Sequence, residues 1–215
     1  MEVNKEIRER YEDFLSKLHE SRNNDTREEY VFTKLFRKII LNIETTIPKY
    51  SEKKRNTKEI IFAHQKAVEE IQLTPEMIYL IEKTLLDEKF TWTIHDFLSI
   101  FMSKEIKISK NVLDKLCGHV LTKKISSSRA RHIAYYIECF GLKEYCPFFK
   151  DLIEILVDDL DYNVYPIVNI AGEMGCMGCY ESIEKILVSE DHNGWALDSA
   201  EETLKKLDKL KNESK

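Results

Sequence analysis

Apolar residues recur every three or four positions along most of the chain, which is the period of an amphipathic helix. One apolar stripe over residues 7–18 and a second over 31–47 predict two N-terminal helices, the second ending near Pro48. The polar, charged stretch 49–56 predicts a loop after them. We therefore expect residues 1–56 to form a helical cap on the remainder of the chain.

From residue 57 onward the pattern falls into helix pairs. Comparable helix ends lie at Leu85, Leu121, Leu156 and Leu187, with spacings of 36, 35 and 31 residues. A period of this length indicates stacked two-helix repeats, although an irregular helical bundle remains an alternative. The predicted pairs are 58–71 with 75–87, 91–103 with 109–121, 127–140 with 145–158, and 162–172 with 179–188, followed by a last helix over 194–210.

The stretch 170–187 is the most regular of these repeats. Its first helix ends in Ala171-Gly172-Glu173-Met174-Gly175, and its second ends in the apolar pair Ile186-Leu187. Glycines here would close the first helix in a left-handed conformation and let two helices approach closely. This segment resembles the HEAT-like repeat, and weaker copies lie at 131–142 and 195–204. The resemblance implies an all-α, right-handed α-solenoid of about eleven helices, with 57–215 as one continuous domain that binds other macromolecules.

The composition supports a helical fold and predicts where in the cell the protein is found. Six glycines and four prolines in 215 residues are too few for the turns of an all-β fold. The charged start and the lack of an apolar run of about 20 residues predict a soluble, cytoplasmic protein with no membrane partner. Five scattered cysteines, an odd number, are expected to be reduced and mostly buried.

Negative charge is concentrated in one part of the chain. Residues 138–202 contain 15 acidic and 3 basic side chains, whereas the whole chain has a net charge of −5. Such a surface attracts a basic protein partner and disfavours nucleic acid, whose binding depends on Lys and Arg contacts to phosphate. An ordinary solvated face is the alternative. The candidate partner-binding residues are Glu138, Glu154, Asp158, Asp159, Asp161, Glu181 and Glu184.

Motifs for metal, redox or hydrolytic chemistry are incomplete. Cys176 and Cys179 form a CxxC, but no second Cys or His pair is suitably spaced for zinc and no βαβ pattern accompanies it. The stretch 158–161 lacks the glycine and terminal glutamate of a calcium loop. The six histidines form no metal pair, and we interpret them as surface or packed side chains. We expect neither a metal nor a cofactor.

One constellation suggests an enzyme. Trp92 and Asp96 are four residues apart, so a helix would place them on one face, and Arg131 follows one repeat later. These positions resemble the HEAT-like alkylpurine DNA glycosylases, in which a tryptophan, an aspartate and an arginine line a DNA-binding surface. The resemblance implies that Asp96 would assist loss of a cationic damaged base. The family has a further tryptophan where this chain has 167–170, with none.

Taken together, the sequence favours a non-enzymatic, protein-binding solenoid that presents an acidic surface to a cationic partner. A specific form is an inhibitor or immunity protein that masks a basic toxin, because charge complementarity speeds capture. The alternatives are a HEAT-like DNA glycosylase with Trp92, Asp96 and Arg131 as its site, and a structural subunit of a larger assembly.

Overall fold

A computed structural model describes residues 3–23, 31–42, 66–159, 161–188 and 194–213 of the chain. The described part is helical and contains no β-strand, so the all-α prediction is confirmed. None of the described helices is long and apolar enough to cross a membrane. Besides a helical segment at 66–69, the α-helices are α1 (Lys5–Asn23), α2 (Val31–Leu35), α3 (Pro75–Leu85), α4 (Ile94–Ser103), α5 (Lys110–Leu121), α6 (Ser127–Cys139), α7 (Cys146–Asp158), α8 (Val164–Glu173), α9 (Tyr180–Val188) and α10 (Gly194–Glu213).

The chain forms two compact units. The first unit comprises residues 1–84 and 99–108, and the second comprises 85–98 and 109–215, so α4 contributes to both. This division does not coincide with the predicted boundary at residue 56. Because residues 43–65 lie outside the described part of the chain, the proposed cap remains a prediction.

Aromatic side chains form the core of the first unit. Helix α1 packs on α2 and on the π-helical turn Phe36–Ile40 that continues it. The ring of Phe14 contacts those of Phe32 and Phe36, with centroids 5.4 and 5.3 Å away. The buried guanidinium of Arg37 donates to the Ala67 carbonyl and to Glu70, each at 2.8 Å, which satisfies its charge.

In the second unit, alternate helices pack side by side. Helix α8 packs against α6 and α10, and α7 packs against α5 and α9. Neighbouring helices α5 and α6, α7 and α8, and α9 and α10 also pack together. Two rows of helices, one formed by α6, α8 and α10 and the other by α5, α7 and α9, therefore share the apolar core between them.

Two glycines have the roles that the sequence suggested. Gly172 lies in α8 where it meets α10, and a β-carbon there would be 2.8 Å from Cγ2 of Thr203. Gly175 follows the end of α8 with φ of +69°, a conformation that costs glycine little. The close approach of α8 and α10 thus depends on the missing side chain of Gly172.

The helix predicted over 31–47 becomes a π-helix that ends at Ile40, and a second difference from prediction lies around Trp92. The sequence suggested one helix from residue 91 to 103, but Trp92 lies in a 3-10 helix, Glu88–Thr93, and α4 begins at Ile94. The carboxylate of Asp87 accepts a hydrogen bond from the Lys89 N–H at 3.0 Å and starts this tighter turn. The sequence had suggested that Trp92 and Asp96 lie on one face of one α-helix, and this prediction is wrong.

The cysteine prediction was wrong for two of the five residues. Cys146, at the start of α7, and Cys176, in the turn after α8, form a disulfide with Cα atoms 5.2 Å apart. Spacing along the sequence did not mark this pair, because packing of α7 against the turn before α9 brings them together. Of the remaining cysteines, Cys117 and Cys179 are buried thiols and Cys139 is exposed.

Candidate functional site

Four of the seven acidic residues singled out in the sequence share one surface. Glu154 and Asp158 lie on α7, and Glu181 and Glu184 lie on α9, which packs beside it. Glu154 accepts a hydrogen bond from the buried Oγ of Ser182 at 2.9 Å, and its Oε1 is 3.8 Å from Nζ of the exposed Lys185, so the solvent-facing stripes of the two helices adjoin. We call this surface the acidic face; it consists of Asp151, Glu154, Asp158, Glu181 and Glu184 with Lys150 and Lys185.

The other three acidic residues, Glu138, Asp159 and Asp161, lie outside this surface. Asp159 forms an ion pair with Lys123, whose Nζ is 2.6 Å from Oδ2. Although burial raises the pKa of Asp161, hydrogen bonds from Ser127 and from the backbone and side chain of Asn163 together hold it below its ordinary value. Burial raises the pKa of Glu138, with a smaller contribution from a nearby carboxylate. Asp159 and Asp161 thus stabilise local structure, and Glu138 lies on α6, outside the acidic face.

The residues of the enzymatic hypothesis lie around a pair of histidines. Asp96 lies in the first turn of α4, and its Oδ1 is 3.8 Å from Nδ1 of His95. The ring of His95 contacts that of His132 on α6, with centroids 4.4 Å apart, and Arg131 precedes His132. Both imidazoles experience the charge of Arg131. Asp96 and Arg131 are thus part of one electrostatic cluster.

Trp92 has a local role in this region. Its indole N–H donates to the Lys89 carbonyl at 3.1 Å, within the 3-10 helix. The side chain is half-buried. Because the indole N–H bonds to the turn that carries it, Trp92 helps to hold that turn in shape.

A cavity of about 310 Å³ opens between the middle of α6 and the first turns of α8 and α10. Tyr135, Tyr162, Tyr165 and Trp195 line it, and they are the aromatic residues among the exposed large hydrophobic side chains of the described chain. None of these four residues was predicted from the sequence to line a site. We call this feature the aromatic cavity; the side chains that define it are Arg131, Tyr135, Tyr162, Asn163, Tyr165 and Trp195.

Neither of the two buried thiols is an activated nucleophile. Burial raises the pKa of the Cys179 thiol to about 12, and that of Cys117 likewise to about 12. A thiol must ionise to attack or to bind a metal, so both are inert near neutral pH. Within the described residues, no three His, Cys, Asp or Glu side chains are grouped to hold a metal ion.

Comparisons with known proteins do not add to these observations. Comparison of the chain with protein families, with curated proteins and with solved structures gives no match. The resemblances to HEAT-like repeats and to the glycosylases therefore depend on the sequence motifs alone.

Proposed function

We propose that the chain is a non-enzymatic binding protein, a right-handed solenoid of stacked helix pairs that presents the acidic face to a basic protein. The two rows of packed helices in the second unit support the repeat architecture. Hydrogen bonds between residues 36 positions apart also support it, because 36 is close to the spacing of the predicted helix ends. These bonds join Lys124 to Glu88, Lys123 to Asp159, and Asn163 to Ser127.

The contact between Glu154 and Lys185 is the observation that carries the binding role. Both side chains are accessible and Oε1 is 3.8 Å from Nζ, so the exposed stripes of α7 and α9 adjoin in one surface with five carboxylates and two lysines. The other four carboxylates of this surface form no ion pair with another described residue: Asp151, Asp158, Glu181 and Glu184. These four charges are available to a cationic partner.

A surface of this kind acts mainly on the rate of encounter. Complementary charge steers a basic partner to the acidic face and accelerates association, and salt weakens this effect. An inhibitor or immunity protein that masks a basic toxin is the form of this function that gains most from fast capture. The proposal includes no catalytic step.

Affinity capture from a native lysate, with a matched pair of charge variants, tests this function. The bait in one arm is the wild-type chain at low salt, and captured proteins are quantified by mass spectrometry across a salt gradient. The acidic-face variant carries Asp151→Asn, Asp158→Asn, Glu181→Gln and Glu184→Gln. The control variant removes four carboxylates elsewhere that also form no ion pair with another described residue, with Glu12→Gln, Glu69→Gln, Glu105→Gln and Asp198→Asn.

A stoichiometric basic protein that the wild type and the control retain, and that the acidic-face variant loses, is the expected result. Retention by both variants would remove the acidic face from the interaction. Circular dichroism of all three baits establishes whether a loss of capture reflects lost charge or lost fold.

A second candidate is a DNA glycosylase acting on alkylated bases. The shared surroundings of His95 favour it, since the Asp96 carboxylate and the charge of Arg131 both act on this imidazole. A carboxylate beside a developing cationic base would stabilise it. Incubation with alkylated DNA should then release free base, and Asp96→Asn should abolish the release. Release no greater than that from protein-free DNA would exclude this function.

A further inference from the structure

The aromatic cavity gathers side chains that soluble proteins seldom leave in water without a ligand. Trp195 is 77% exposed and Tyr162 is 69% exposed, and both lie at the same cavity as Tyr135 and Tyr165. Exposed apolar residues are usually scattered singly over a surface. Four aromatic faces around about 310 Å³ provide flat surfaces on which a planar ring can stack.

A positive charge lies in the wall of the same cavity. Arg131 is half-buried and lines the cavity, and no described carboxylate forms an ion pair with it. A guanidinium presents a planar fork of donors that matches phosphate or carboxylate oxygens. A ligand that combines a flat ring with an anionic group therefore satisfies both the tyrosines and the arginine.

A buried oxygen atom, Oδ1 of Asn163, indicates that the ligand also carries a hydrogen-bond donor. Asn163 is 2% exposed and lines the cavity, and its Nδ2 donates to Asp161 at 2.7 Å and to Ser127 at 3.2 Å. Because both protons of this amide nitrogen are used, its Oδ1 must be the acceptor, and Oδ1 has no hydrogen-bond partner among the described residues. A buried acceptor without a partner is costly, and a small shift of the cavity wall that exposes Oδ1 would let an N–H group on the ligand satisfy it.

We propose that the aromatic cavity binds a purine nucleotide, with the base stacked on Trp195 and the tyrosines, its N–H donors directed to Asn163, and its phosphate held by Arg131. A nucleotide supplies the flat ring, the N–H donor and the anion in one molecule. The cavity volume is at the lower end of the range for small-ligand sites, which suits a mononucleotide.

The free nucleotide fits this site better than a nucleic-acid strand. Strand binding depends on several Lys and Arg contacts along the phosphate backbone. Arg131 is the one basic side chain among the described residues that line the cavity. One arginine can hold one phosphate group, but this described lining supplies no second cation for the next phosphate of a strand.

Isothermal titration calorimetry with the full chain and 5′-AMP tests the site, using ligands that each lack one feature. Saturable binding with one site per chain is expected, with Kd of about 1 mM or tighter. Adenosine lacks the phosphate and should bind about tenfold more weakly. Ribose 5-phosphate lacks the base and should not compete. Purine riboside 5′-monophosphate keeps the ring and phosphate but lacks the amine, so it should bind about fivefold more weakly.

Two variants test the protein side of the same contacts. Trp195→Ala removes an exposed side chain and should weaken 5′-AMP binding by about fivefold or more. Arg131→Gln should abolish the difference between 5′-AMP and adenosine. Arg129→Gln is the matched control, because it removes an equal charge from the same helix at a residue that does not line the cavity. Val188→Ala is the control for loss of an exposed apolar group.

Three results would overturn the proposal. One is the absence of saturable binding of 5′-AMP or 5′-GMP up to roughly 5 mM. Another is equal affinity for 5′-AMP in the wild type and in Trp195→Ala. The third is a six-nucleotide oligoadenylate that binds more tightly than 5′-AMP and loses affinity steeply with salt, which would assign the surface to single strands instead.

Discussion

The imidazole rings of His95 and His132 lie in contact, with centroids 4.4 Å apart, yet their proton affinities are shifted in opposite directions. The Asp96 carboxylate raises the pKa of His95 above its ordinary value of 6.5. Burial lowers the pKa of His132 to about 4, helped by the charges of His95, Arg131 and Arg129. The pair therefore holds one proton, on His95, in mildly acidic solution.

This relationship predicts a pH dependence of stability. Below pH 6.5 the unfolded chain protonates His132 whereas the folded chain does not, so the free energy of unfolding should fall as the pH drops from 6.5 towards 4. His95 acts in a separate range: its contribution is complete below pH 6.5 and is lost as the pH rises through its raised pKa. Urea unfolding at several pH values should show a smaller fall between about pH 6.5 and 4.5 in His132→Gln than in the wild type.

Carboxylates also titrate at low pH, and they contribute to the stability curves of both the wild type and His132→Gln. The difference between the wild type and His132→Gln isolates the histidine. Parallel curves for the two proteins across this range would show that His132 is protonated in the folded state, contrary to its surroundings in the structure.

The contact between Gly172 and Thr203 gives a second prediction. Gly172→Ala gains up to about 1 kcal/mol of helix propensity. However, its new β-carbon would be 2.8 Å from Cγ2 of Thr203, and overpacking of this kind costs about 1–3 kcal/mol. We expect a net loss of about 1 kcal/mol in the free energy of unfolding, measured by urea denaturation.

Two further variants separate sterics from backbone effects at Gly172. When Thr203→Ser is combined with Gly172→Ala, the clashing Cγ2 is absent, so the double variant should regain part of the stability lost in Gly172→Ala. Gly178→Ala is the control, since a β-carbon at Gly178 would meet no heavy atom within 4 Å, and it should change stability by less than about 0.5 kcal/mol. Equal losses at both glycines would contradict a role for helix contact.

The disulfide between Cys146 and Cys176 gives a third prediction. Thiol titration of the purified, denatured protein without reductant should detect three free thiols of the five cysteines. The disulfide closes a loop with a sequence separation of 30, which on the chain-entropy model stabilises the fold by about 3–4 kcal/mol. Reductant should lower the melting temperature of the wild type, and Cys146→Ser with Cys176→Ser should be insensitive to it. Detection of five thiols would show that the disulfide is not formed.

Two kinds of feature could be predicted from the sequence: the helices, which follow a repeating apolar pattern, and positions where the backbone conformation requires a particular residue. Pro75 begins α3 as expected, because a proline in the first turn forfeits no hydrogen bond. Gly172 and Gly175 were assigned correctly because close approach and a positive φ are properties of glycine itself. The helices of the second unit follow from the apolar period, since burial of one stripe requires it.

The candidate sites were harder to predict, because each combines side chains from several helices. The aromatic cavity draws Tyr135 from α6, Tyr165 from α8 and Trp195 from α10. No local motif links these residues. Their regular spacing of 30 residues was an available signal. Cys146 and Cys176 have the same separation of 30.

The buried hydrogen bond between Tyr11 and Thr84 gives the last prediction. The Tyr11 hydroxyl donates to Oγ1 of Thr84 at 2.9 Å, and Thr84 in turn donates to the Leu80 carbonyl at 3.0 Å. Burial raises the pKa of Tyr11 well above its ordinary value, so the phenol stays neutral and keeps its proton for this bond. The first unit thus depends on a polar contact between α1 and α3 inside an apolar core.

Removing Thr84 Oγ1 and removing the Tyr11 hydroxyl should lower the free energy of unfolding by different amounts. Thr84→Val leaves the Tyr11 hydroxyl buried without an acceptor and should cost about 1–3 kcal/mol of unfolding free energy. Tyr11→Phe removes the donor but leaves the Thr84 hydroxyl bonded to Leu80, so it should cost about 1 kcal/mol or less. In the double variant no unpaired hydroxyl remains, and its loss should be smaller than the sum of the single losses. Strict additivity in urea unfolding would mean that the two hydroxyls do not interact in solution.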